Sequence, residues 1–262
     1  ARNVPFYREH FGDRPPSALR LADFPIVSKE QMMDRFDDFV SDPRVRYEDV
    51  RAFIEADRIQ RELFLGRYVI CKTSGTTGRA GIFLIDPRTW GRARSLGMSR
   101  SFLRALLPDL FVNRLYGRKL KWAFYISYGS HNITYLLCKY LPASIRFFVD
   151  IRLYSVHQPA AQVARDMAKF QPDLIHAYPT ALATLATELL RDGSLQIRPR
   201  VITTGSEAFP EAAQRLVAQV FPDAKIHQVY GATEFNSIAH QCDYGNFHLN
   251  ADYCVLELPD QS

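Results

Sequence analysis

The stretch "RVITTGSEAFPEAAQRLVAQVFPDAKIHQVYGATE", residues 200–234, decides the fold class because it predicts a strand, a helix and a second strand in succession. Its outer parts, "RVITTG" and "KIHQVYG", are short and rich in β-branched residues. The segment between them, "EAAQRLVAQVF", has helical spacing and follows Pro210, and proline is common at the first position of a helix. Two strands joined by a helix form a βαβ unit, which favours a parallel sheet.

The same alternation extends over most of the chain after residue 66. Further short strands are predicted at "YVICKTS" (68–74), "IFLI" (82–85), "KWAFYIS" (121–127), "RFFVDI" (146–151) and "DLIHAY" (173–178). Further helices are predicted after Pro87, Pro159 and Pro179. We therefore expect an α/β fold with a mainly parallel sheet that helices cover on both faces.

The first 66 residues indicate helical and irregular structure instead. Ser28 is placed to cap a helix over "KEQMMDRFDDFV", and a helix over "RIQRELFL" is predicted to start after Asp57 and to end at Gly66. We expect residues 1–66 to form a helical segment that packs on an α/β core, residues 67–262. The core is expected to end in a strand-and-turn region, residues 235–262, and the whole chain to form one continuous domain.

Composition excludes several classes of protein. With 47% hydrophobic and 13% aromatic residues among 262, the chain can bury a substantial core. Its 33 Lys and Arg against 28 Asp and Glu give a formal charge of +5, which is too weakly basic for a nucleic-acid-binding composition. The basic residues are densest over residues 92–121, which we interpret as the solvated face of a helix.

Cysteine usage and hydropathy indicate the cellular setting. Four scattered cysteines without a CxxC pair do not indicate a disulfide framework. No uninterrupted apolar run reaches the ~18 residues of a membrane span. We therefore expect a cytoplasmic protein with no nucleic-acid partner and no membrane partner.

The stretch "VICKTSGTTGRAGIFLID", residues 69–86, has the composition of a phosphate-binding loop. Its hydroxyl side chains are donors, and its glycines let backbone N–H groups converge on one anion. The residues concerned are Thr73, Ser74, Gly75, Thr76, Thr77 and Gly78. In a parallel α/β sheet ligands bind at the carboxyl ends of strands, so the turn that follows "YVICKTS" lies where binding is expected. The nucleotide loop GxxxxGK[ST] and the dinucleotide fingerprint GxGxxG are both absent.

Residues 73–78, TSGTTG, resemble letter for letter the signature loop of adenylate-forming enzymes. "VYGATE", residues 229–234, is similar to the YGxTE motif of that family, and "TTGSEAFP", residues 203–210, is similar to its adenine-site segment. The resemblance implies that Thr233 contacts the α-phosphate of ATP and that Glu234 holds Mg²⁺. It also implies the remaining residues of the nucleotide site, which are Gly205, Ser206, Glu207, Tyr230, Gly231 and Ala232.

Other segments resemble the phenylacetate–CoA ligase branch of the family. These segments are "NVPFYREHF", "FPIVSKEQM", "AYPTALATLA" and "GNFHLNADYCVLEL". After TSGTTG the chain has Arg79, Ala80 and Gly81, where most family members have proline and then lysine. Arg79 either replaces that lysine or is an ordinary surface arginine.

The implied reaction activates a carboxylic acid with ATP to an acyl-adenylate, releases pyrophosphate and transfers the acyl group to a thiol such as coenzyme A. Family members continue with a small mobile C-terminal domain. We expect this chain to be the layered αβα N-terminal domain, with that C-terminal lid domain absent. A chain of this kind is expected to have low catalytic activity by itself. The sequence leaves open whether the chain forms a homodimer.

Aromatic residues at two predicted strand ends are candidates for the acid pocket. They belong to "FYISYGSHNITYLL" and "HAYPT", and the candidates are Tyr128, Gly129, His131, Tyr178 and Pro179. Flat rings around a small glycine suit an aryl acid. The alternative is that these aromatic residues belong to the core. His131 and His176 either orient a carboxylate or have a structural role.

A zinc site is a further hypothesis. His240, Cys242, His248 and Cys254 fall within fifteen residues, and imidazole and thiolate are zinc ligands. Relatives in the branch use a Cys and a His here, for which Cys242 and His248 are the candidates, together with a later cysteine pair. This chain ends before such a pair, so a zinc ion would have to use these residues alone.

Two alternatives to an acid–thiol ligase belong to other classes of protein. One is a non-catalytic protein that binds nucleotide through the same loops. The other is a transferase that moves AMP or an acyl group to a protein or cofactor.

Overall fold

The computed structural model describes residues 3–73, 75, 79–101, 103–128 and 131–257. The chain forms two compact units, Ala1–Pro87 and Arg88–Ser262. The expected division at residue 66 into a helical segment and a core stays a prediction.

The first unit contains short helices followed by a two-stranded sheet. Its helices are α1 (Pro5–Phe11), α2 (Lys29–Asp34), α3 (Phe36–Phe39) and α4 (Tyr47–Glu55), and its strands are β1 (Val69–Lys72) and β2 (Ile82–Ile85). The prediction of a cap at Ser28 is confirmed, because its hydroxyl oxygen accepts a hydrogen bond from the Gln31 amide at 3.1 Å.

The predicted helix after Asp57 is wrong. Only a 3₁₀ helix forms there, over Arg58–Gln60. Asp57 has a left-handed backbone (φ 48°), and both Leu65 and Gly66 have positive φ. These turns bring Tyr68 back to pair with Phe64, so the chain reverses here before it enters β1.

The second unit is built on a large sheet. Its helices are α5 (Pro87–Ser101), α6 (Leu103–Leu115), α7 (Ile133–Lys139), α8 (Ala143–Phe148), α9 (Ala160–Phe170), α10 (Pro179–Arg191) and α11 (Glu211–Val220). Its strands are β3 (Leu120–Ile126), β4 (Val149–Ser155), β5 (Leu174–Ala177), β6 (Val201–Gly205), β7 (Lys225–Tyr230), β8 (Ala239–Gln241) and β9 (Phe247–Leu249).

Within the described residues these strands form a seven-stranded sheet in the order β4-β3-β5-β6-β7-β8-β9. Neighbours from β4 through β7 are parallel, while β8 and β9 are antiparallel. The α/β fold with a mainly parallel sheet is therefore confirmed. The two antiparallel strands, β8 and β9, agree with the pattern of strands and turns in the sequence after residue 234.

The core of this unit lies between the sheet and its helices. Leu182 and Leu185 of α10 are fully buried, as are Ile175 of β5 and Ile202 of β6. Hydrophobic residues at helical spacing on α10 meet a nearly continuous apolar strand face, which is typical of parallel sheets.

The prolines from which helix starts were predicted occupy two different positions relative to the first residue of the helix. Pro179 is the first residue of α10, as expected. Pro159 and Pro210 instead precede the first residues of α9 and α11, with extended backbone angles. The fixed φ of proline, near −60°, suits both positions.

Two sequence-based interpretations need correction. In "RFFVDI", Phe147 and Phe148 end helix α8 and only the later residues enter β4, because a short apolar run does not distinguish helix from strand. The basic stretch is not simply a solvated face. Arg94 donates a hydrogen bond to the Tyr140 carbonyl at 2.8 Å, and Arg100 binds both carboxylate oxygens of Asp252.

In the described part of the chain, no helix combines the length and the apolar character needed to span a membrane.

Candidate functional site

The TSGTTG loop of the first unit joins the two strands of a hairpin. β1 and β2 are antiparallel, with Lys72 opposite Ile82. The Thr73 amide donates to the Gly81 carbonyl at 3.0 Å, and the Gly81 amide donates to the Thr73 hydroxyl oxygen at 2.8 Å. The loop is therefore closed at its base. The expectation that this turn leaves a strand of the parallel sheet is wrong, because the chain reverses directly into β2.

Only part of the predicted phosphate loop lies in the described structure. Ser74, Thr76, Thr77 and Gly78 lie outside the described residues. Gly75 has φ 71°, a left-handed conformation that favours glycine. The Thr73 hydroxyl oxygen accepts a hydrogen bond from the Gly81 amide, so the hydroxyl group of Thr73 can still donate a hydrogen bond of its own.

Arg79, which stands near the position of the usual lysine, is held within the first unit. Its guanidinium donates to a carboxylate oxygen of Asp34 at 2.9 Å and lies 5.0 Å from the centre of the Tyr47 ring. These contacts indicate an anchored surface arginine at the end of the loop.

In the second unit, two of the predicted motifs follow neighbouring parallel strands. Gly205 ends β6 opposite Val229 of β7, so the segment after β6 begins beside the segment after β7. A Cβ atom at Gly205 would lie 2.6 Å from the Val229 carbonyl oxygen, so this approach requires glycine. The next residue, Ser206, has φ 69°, which is an uncommon conformation for a non-glycine residue. The chain thus turns sharply at the carboxyl edge of the sheet.

Glu207 ties this turn to the neighbouring helix. Its carboxylate accepts hydrogen bonds from the Thr180 hydroxyl at 2.7 Å and from the Thr180 amide at 3.2 Å. Thr180 lies in the first turn of α10, where free backbone N–H groups favour a negative charge. The segments that follow β5 and β6 are therefore joined at one edge of the sheet.

The YGATE motif forms a tight loop after β7. A Cβ atom at Gly231 would collide with the carbonyl oxygen of Asn236, and the Ala232 amide donates to the Phe235 carbonyl at 3.0 Å. Tyr230 is exposed at the end of the strand. Thr233 is half-buried and Glu234 is exposed. In the described part of the chain no ion pair or hydrogen bond engages the Glu234 carboxylate, so its oxygens are open to a ligand.

The predicted acid-pocket residues follow β3 and β5, which are neighbours in the sheet. Asn132 donates a hydrogen bond to the Tyr178 hydroxyl oxygen at 3.1 Å, which links the two segments. Burial raises the pKa of Tyr178 and so keeps its hydroxyl neutral. His131 and Pro179 are also buried, whereas Tyr128 is partly exposed and stacks on Tyr135. Gly129 lies outside the described residues.

His176 lies within β5 and has a structural environment. Its Nδ1 atom is 2.8 Å from the Thr203 hydroxyl oxygen of β6, and its ring packs against Phe124 of β3. Burial lowers the pKa of His176 to about 4. A neutral imidazole inside the sheet is a packing element, which favours the structural interpretation of this residue.

The four zinc candidates are only partly brought together. His240 of β8 pairs with His248 of β9, and their ring centres are 5.8 Å apart. The pKa of Cys242 is lowered by the backbone N–H of Tyr244 and by the His248 side chain. Cys254 instead lies against the Asn250 carbonyl. Among residues that the structure describes, no three His, Cys, Asp or Glu side chains are arranged to hold a metal ion. Zinc therefore stays a prediction.

Two residues of this edge were missed by the sequence reasoning. Thr180 binds Glu207, and Asn132 both binds Tyr178 and caps α7 by accepting a hydrogen bond from the Thr134 amide at 2.9 Å. An asparagine directly before the apolar run "ITYLL" is a helix-start signal that predicts this cap. The bond from Thr180 to Glu207 joins residues 27 positions apart, and no local pattern indicates it.

The glycine-bounded turns lie at the carboxyl edge of the parallel sheet, which is where ligands bind in open α/β proteins. Comparison with known proteins adds the following similarities. Residues 137–255, which make up less than half of the chain, match the family model described as "AMP-binding enzyme", so this region is similar to that family. No curated protein matches the sequence. The more specific resemblance to the phenylacetate–CoA ligase branch stays a prediction.

Solved structures of 2-hydroxyisobutyryl-CoA ligase share the fold. The structure in the postadenylation state with 2-HIB-AMP aligns with a TM-score of 0.60 and 17% identity, over 94% of this chain and 48% of that chain. The open conformation with 2-HIB-AMP and CoA aligns with a TM-score of 0.61 and 17% identity, over 92% and 49%. This chain therefore spans about half the length of these proteins.

Proposed function

We propose that the chain provides the nucleotide-binding core of an enzyme that activates a carboxylic acid with ATP. The products are an acyl-adenylate and pyrophosphate, and a thiol such as coenzyme A then accepts the acyl group. One observation carries the proposal. The register of Gly205 with Val229 sets the segment after β6 beside the YGATE loop, and both lie inside the region that matches the AMP-binding family.

In this proposal the turn after β6 and the end of β7 bind adenine. The adenine contacts are assigned to Gly205, Ser206, Glu207 and Tyr230, with Gly231 and Ala232 shaping the loop that follows. Support comes from the close backbone approaches at these two glycines, because a Cβ atom would collide with the Val229 carbonyl at Gly205 and with the Asn236 carbonyl at Gly231. Thr233 donates its hydroxyl proton to the α-phosphate.

Glu234 is assigned to Mg²⁺. Its exposed carboxylate has no competing cation among the described residues, and carboxylate oxygens are the ligands that Mg²⁺ prefers, so the residue fits the ion. Bound there, Mg²⁺ supplies positive charge that offsets the charge on the phosphates. The TSGTTG loop is assigned to phosphate binding through the Thr73 hydroxyl and the backbone around Gly75.

The chemistry needs positioning more than proton transfer. A carboxylic acid with a pKa of about 4 is already ionised at neutral pH, so no general base is needed. The residues of this chain therefore act by holding the two reactants in line and by donating hydrogen bonds to the phosphate oxygens. The neutral hydroxyl groups of Thr73 and Thr233 are suited to that role.

The acid is proposed to be aromatic. Tyr178 and Pro179 lie at the end of β5 beside the segment of Tyr128 and His131, and flat side chains of this kind suit an aryl ring.

The solved structures that share the fold contain 2-HIB-AMP and CoA, which supports an acyl-adenylate and coenzyme A here. We further propose a cytoplasmic enzyme whose C-terminal domain, in the same polypeptide, completes the site.

Calorimetric titration with Mg²⁺ and a non-hydrolysable ATP analogue tests the proposal. We expect saturable, Mg²⁺-dependent binding that Glu234→Gln weakens at least about tenfold, because the ion loses a charged ligand. Glu211→Gln is the matched control, since Glu211 is an exposed glutamate of α11. Absence of binding by the parent chain, or equal binding by Glu234→Gln and the parent, would contradict the proposal.

A further inference from the structure

The second unit exposes a cluster of apolar side chains on α6, on the turn after it and on α8. We call this cluster the α6–α8 patch. Its members and their exposed fractions are Phe111 (59%), Val112 (50%), Leu115 (84%), Tyr116 (79%) and Phe147 (50%). Single exposed apolar residues are normal on protein surfaces, but five large ones close together indicate an interaction site.

Ring contacts join the α6 part of the patch to its α8 part. Phe111 of α6 packs edge to face against Phe148 of α8, with ring centres 5.5 Å apart. Phe148 in turn contacts Phe147 at 5.1 Å. The guanidinium of Arg114 lies 4.0 Å from the centre of the Phe147 ring, which joins α6 to α8 a second time. Both helices therefore present their exposed rings on the same side.

The border of the patch is basic. It carries Arg114, Arg118, Lys119 and Arg146. In the described part of the chain none of these four side chains forms an ion pair with a carboxylate. Lys119 donates to the Arg146 carbonyl at 3.1 Å, and Arg146 donates to the Lys139 carbonyl at 2.7 Å. The nearby acid Asp109 is already paired with Arg200. The patch thus combines exposed apolar groups with uncompensated positive charge.

We propose that the α6–α8 patch docks this protein on an anionic lipid surface. Aromatic and aliphatic side chains enter the interfacial region of a bilayer, while the surrounding Arg and Lys residues bind anionic headgroups. The packing of Arg114 against Phe147 allows the charge to stay at headgroup level above the buried ring. The expectation of no membrane partner came from the lack of a spanning segment, and peripheral docking needs none.

Charge and size favour lipid over a protein partner. A second copy of the chain would bring two uncompensated basic borders together, and like charges oppose that association. A stable protein interface uses roughly 20–30 residues on each side, many more than the nine of the patch and its border. A lipid surface satisfies both the apolar and the basic residues without a partner of matching shape.

Vesicle flotation of the full chain tests this proposal. The vesicles contain equal parts of phosphatidylcholine and phosphatidylglycerol, and pure phosphatidylcholine vesicles provide the comparison. We expect flotation with the anionic vesicles only, weakened by added salt. Leu115→Ser/Phe147→Ser and Arg118→Glu/Lys119→Glu should each reduce binding by about tenfold or more. The first variant removes apolar contacts and the second reverses charge, so they test separate parts of the proposal.

Matched controls are available elsewhere in the chain. Ile26→Ser removes an apolar side chain that is 98% exposed, and Arg61→Glu reverses an exposed charge, both outside the patch. Both controls should float like the parent. Failure of the parent to bind anionic vesicles would overturn the proposal, as would equal binding by the patch variants. Self-association that is lost in the Leu115→Ser/Phe147→Ser variant, without vesicle binding, would assign the patch to a dimer and overturn it too.

Discussion

Glu207 accepts two hydrogen bonds from Thr180, one from the hydroxyl at 2.7 Å and one from the backbone amide at 3.2 Å. The two residues follow neighbouring strands, so this pair fixes the turn after β6 against the start of α10. Because the adjacent Ser206 is in a left-handed conformation, the turn needs such a support to keep its shape. The proposed adenine contacts thus depend on Thr180, which lies outside the three predicted nucleotide-binding motifs.

Loss of the Thr180 hydroxyl should weaken nucleotide binding more than folding. We expect Thr180→Val to lower the affinity for the Mg²⁺–ATP analogue by about three- to tenfold, since one of the two bonds to Glu207 is removed and a net hydrogen bond contributes on the order of 1 kcal/mol. Thr187→Val on the same helix is the control, because the Thr187 hydroxyl donates only to the Ala183 carbonyl. Calorimetry measures both variants. Equal affinities for Thr180→Val and Thr187→Val would argue against a role for this contact.

Methyl groups at the two constrained glycines should destabilise the second unit. Gly205→Ala would place a Cβ atom 2.6 Å from the Val229 carbonyl oxygen, and Gly231→Ala would collide with Asn236. We expect each to cost about 1–3 kcal/mol of unfolding free energy, the usual cost of overpacking. Gly193→Ala, where the added carbon would meet nothing within 4 Å, should leave the stability nearly unchanged. Urea denaturation compares the three, and unchanged midpoints for both constrained positions would show that the backbone can move apart.

Local sequence signals were sufficient for the fold class and insufficient for strand pairing. Proline and hydrophobic spacing predicted α10 and the strands around it, because these signals act within a few residues. The pairing of β1 with β2 in a separate hairpin depends on which strands meet, and the spacing of "YVICKTS" and "IFLI" is the same in either arrangement. Phe147 and Phe148 were assigned to a strand for a similar reason, since a run of apolar residues fits both α8 and β4.

The residues of the candidate site were predicted from the sequence, but the contacts between distant residues were not. The glycines and hydroxyl residues of the motifs are recognisable because their chemistry is local. By contrast, the contact of Thr180 with Glu207 and the bond from Asn132 to Tyr178 span 27 and 46 positions, and only the packing of the sheet brings them together.

The stability of the protein should fall at acid pH through His176. Burial lowers the pKa of this histidine from 6.5 to about 4, so the folded state holds it neutral while the unfolded chain binds a proton more readily. The stabilising contribution is therefore complete above pH 6.5 and is lost as the pH falls towards 4, by up to about 3 kcal/mol. His176→Gln keeps a partner for Thr203 and should flatten this part of the pH profile. His10→Gln, an exposed position on α1, is the control, and a profile of His176→Gln that is as steep as the parent's would contradict the prediction.

The hydroxyl of Thr73 should be needed at the base of the hairpin loop, where it accepts the Gly81 amide proton at 2.8 Å. Thr73→Val keeps the shape of the side chain but leaves this amide without its acceptor, so the loop base should loosen. Thr73→Ser restores the oxygen. If the loop binds phosphate, we expect Thr73→Val to weaken binding of the Mg²⁺–ATP analogue by about tenfold, the equivalent of one charge-assisted hydrogen bond, and Thr73→Ser to recover most of it. Amide hydrogen exchange at Gly81 reports the loop base independently of ligand. Faster exchange in Thr73→Val with unchanged nucleotide affinity would separate the two effects and show that TSGTTG has only a structural role in this chain.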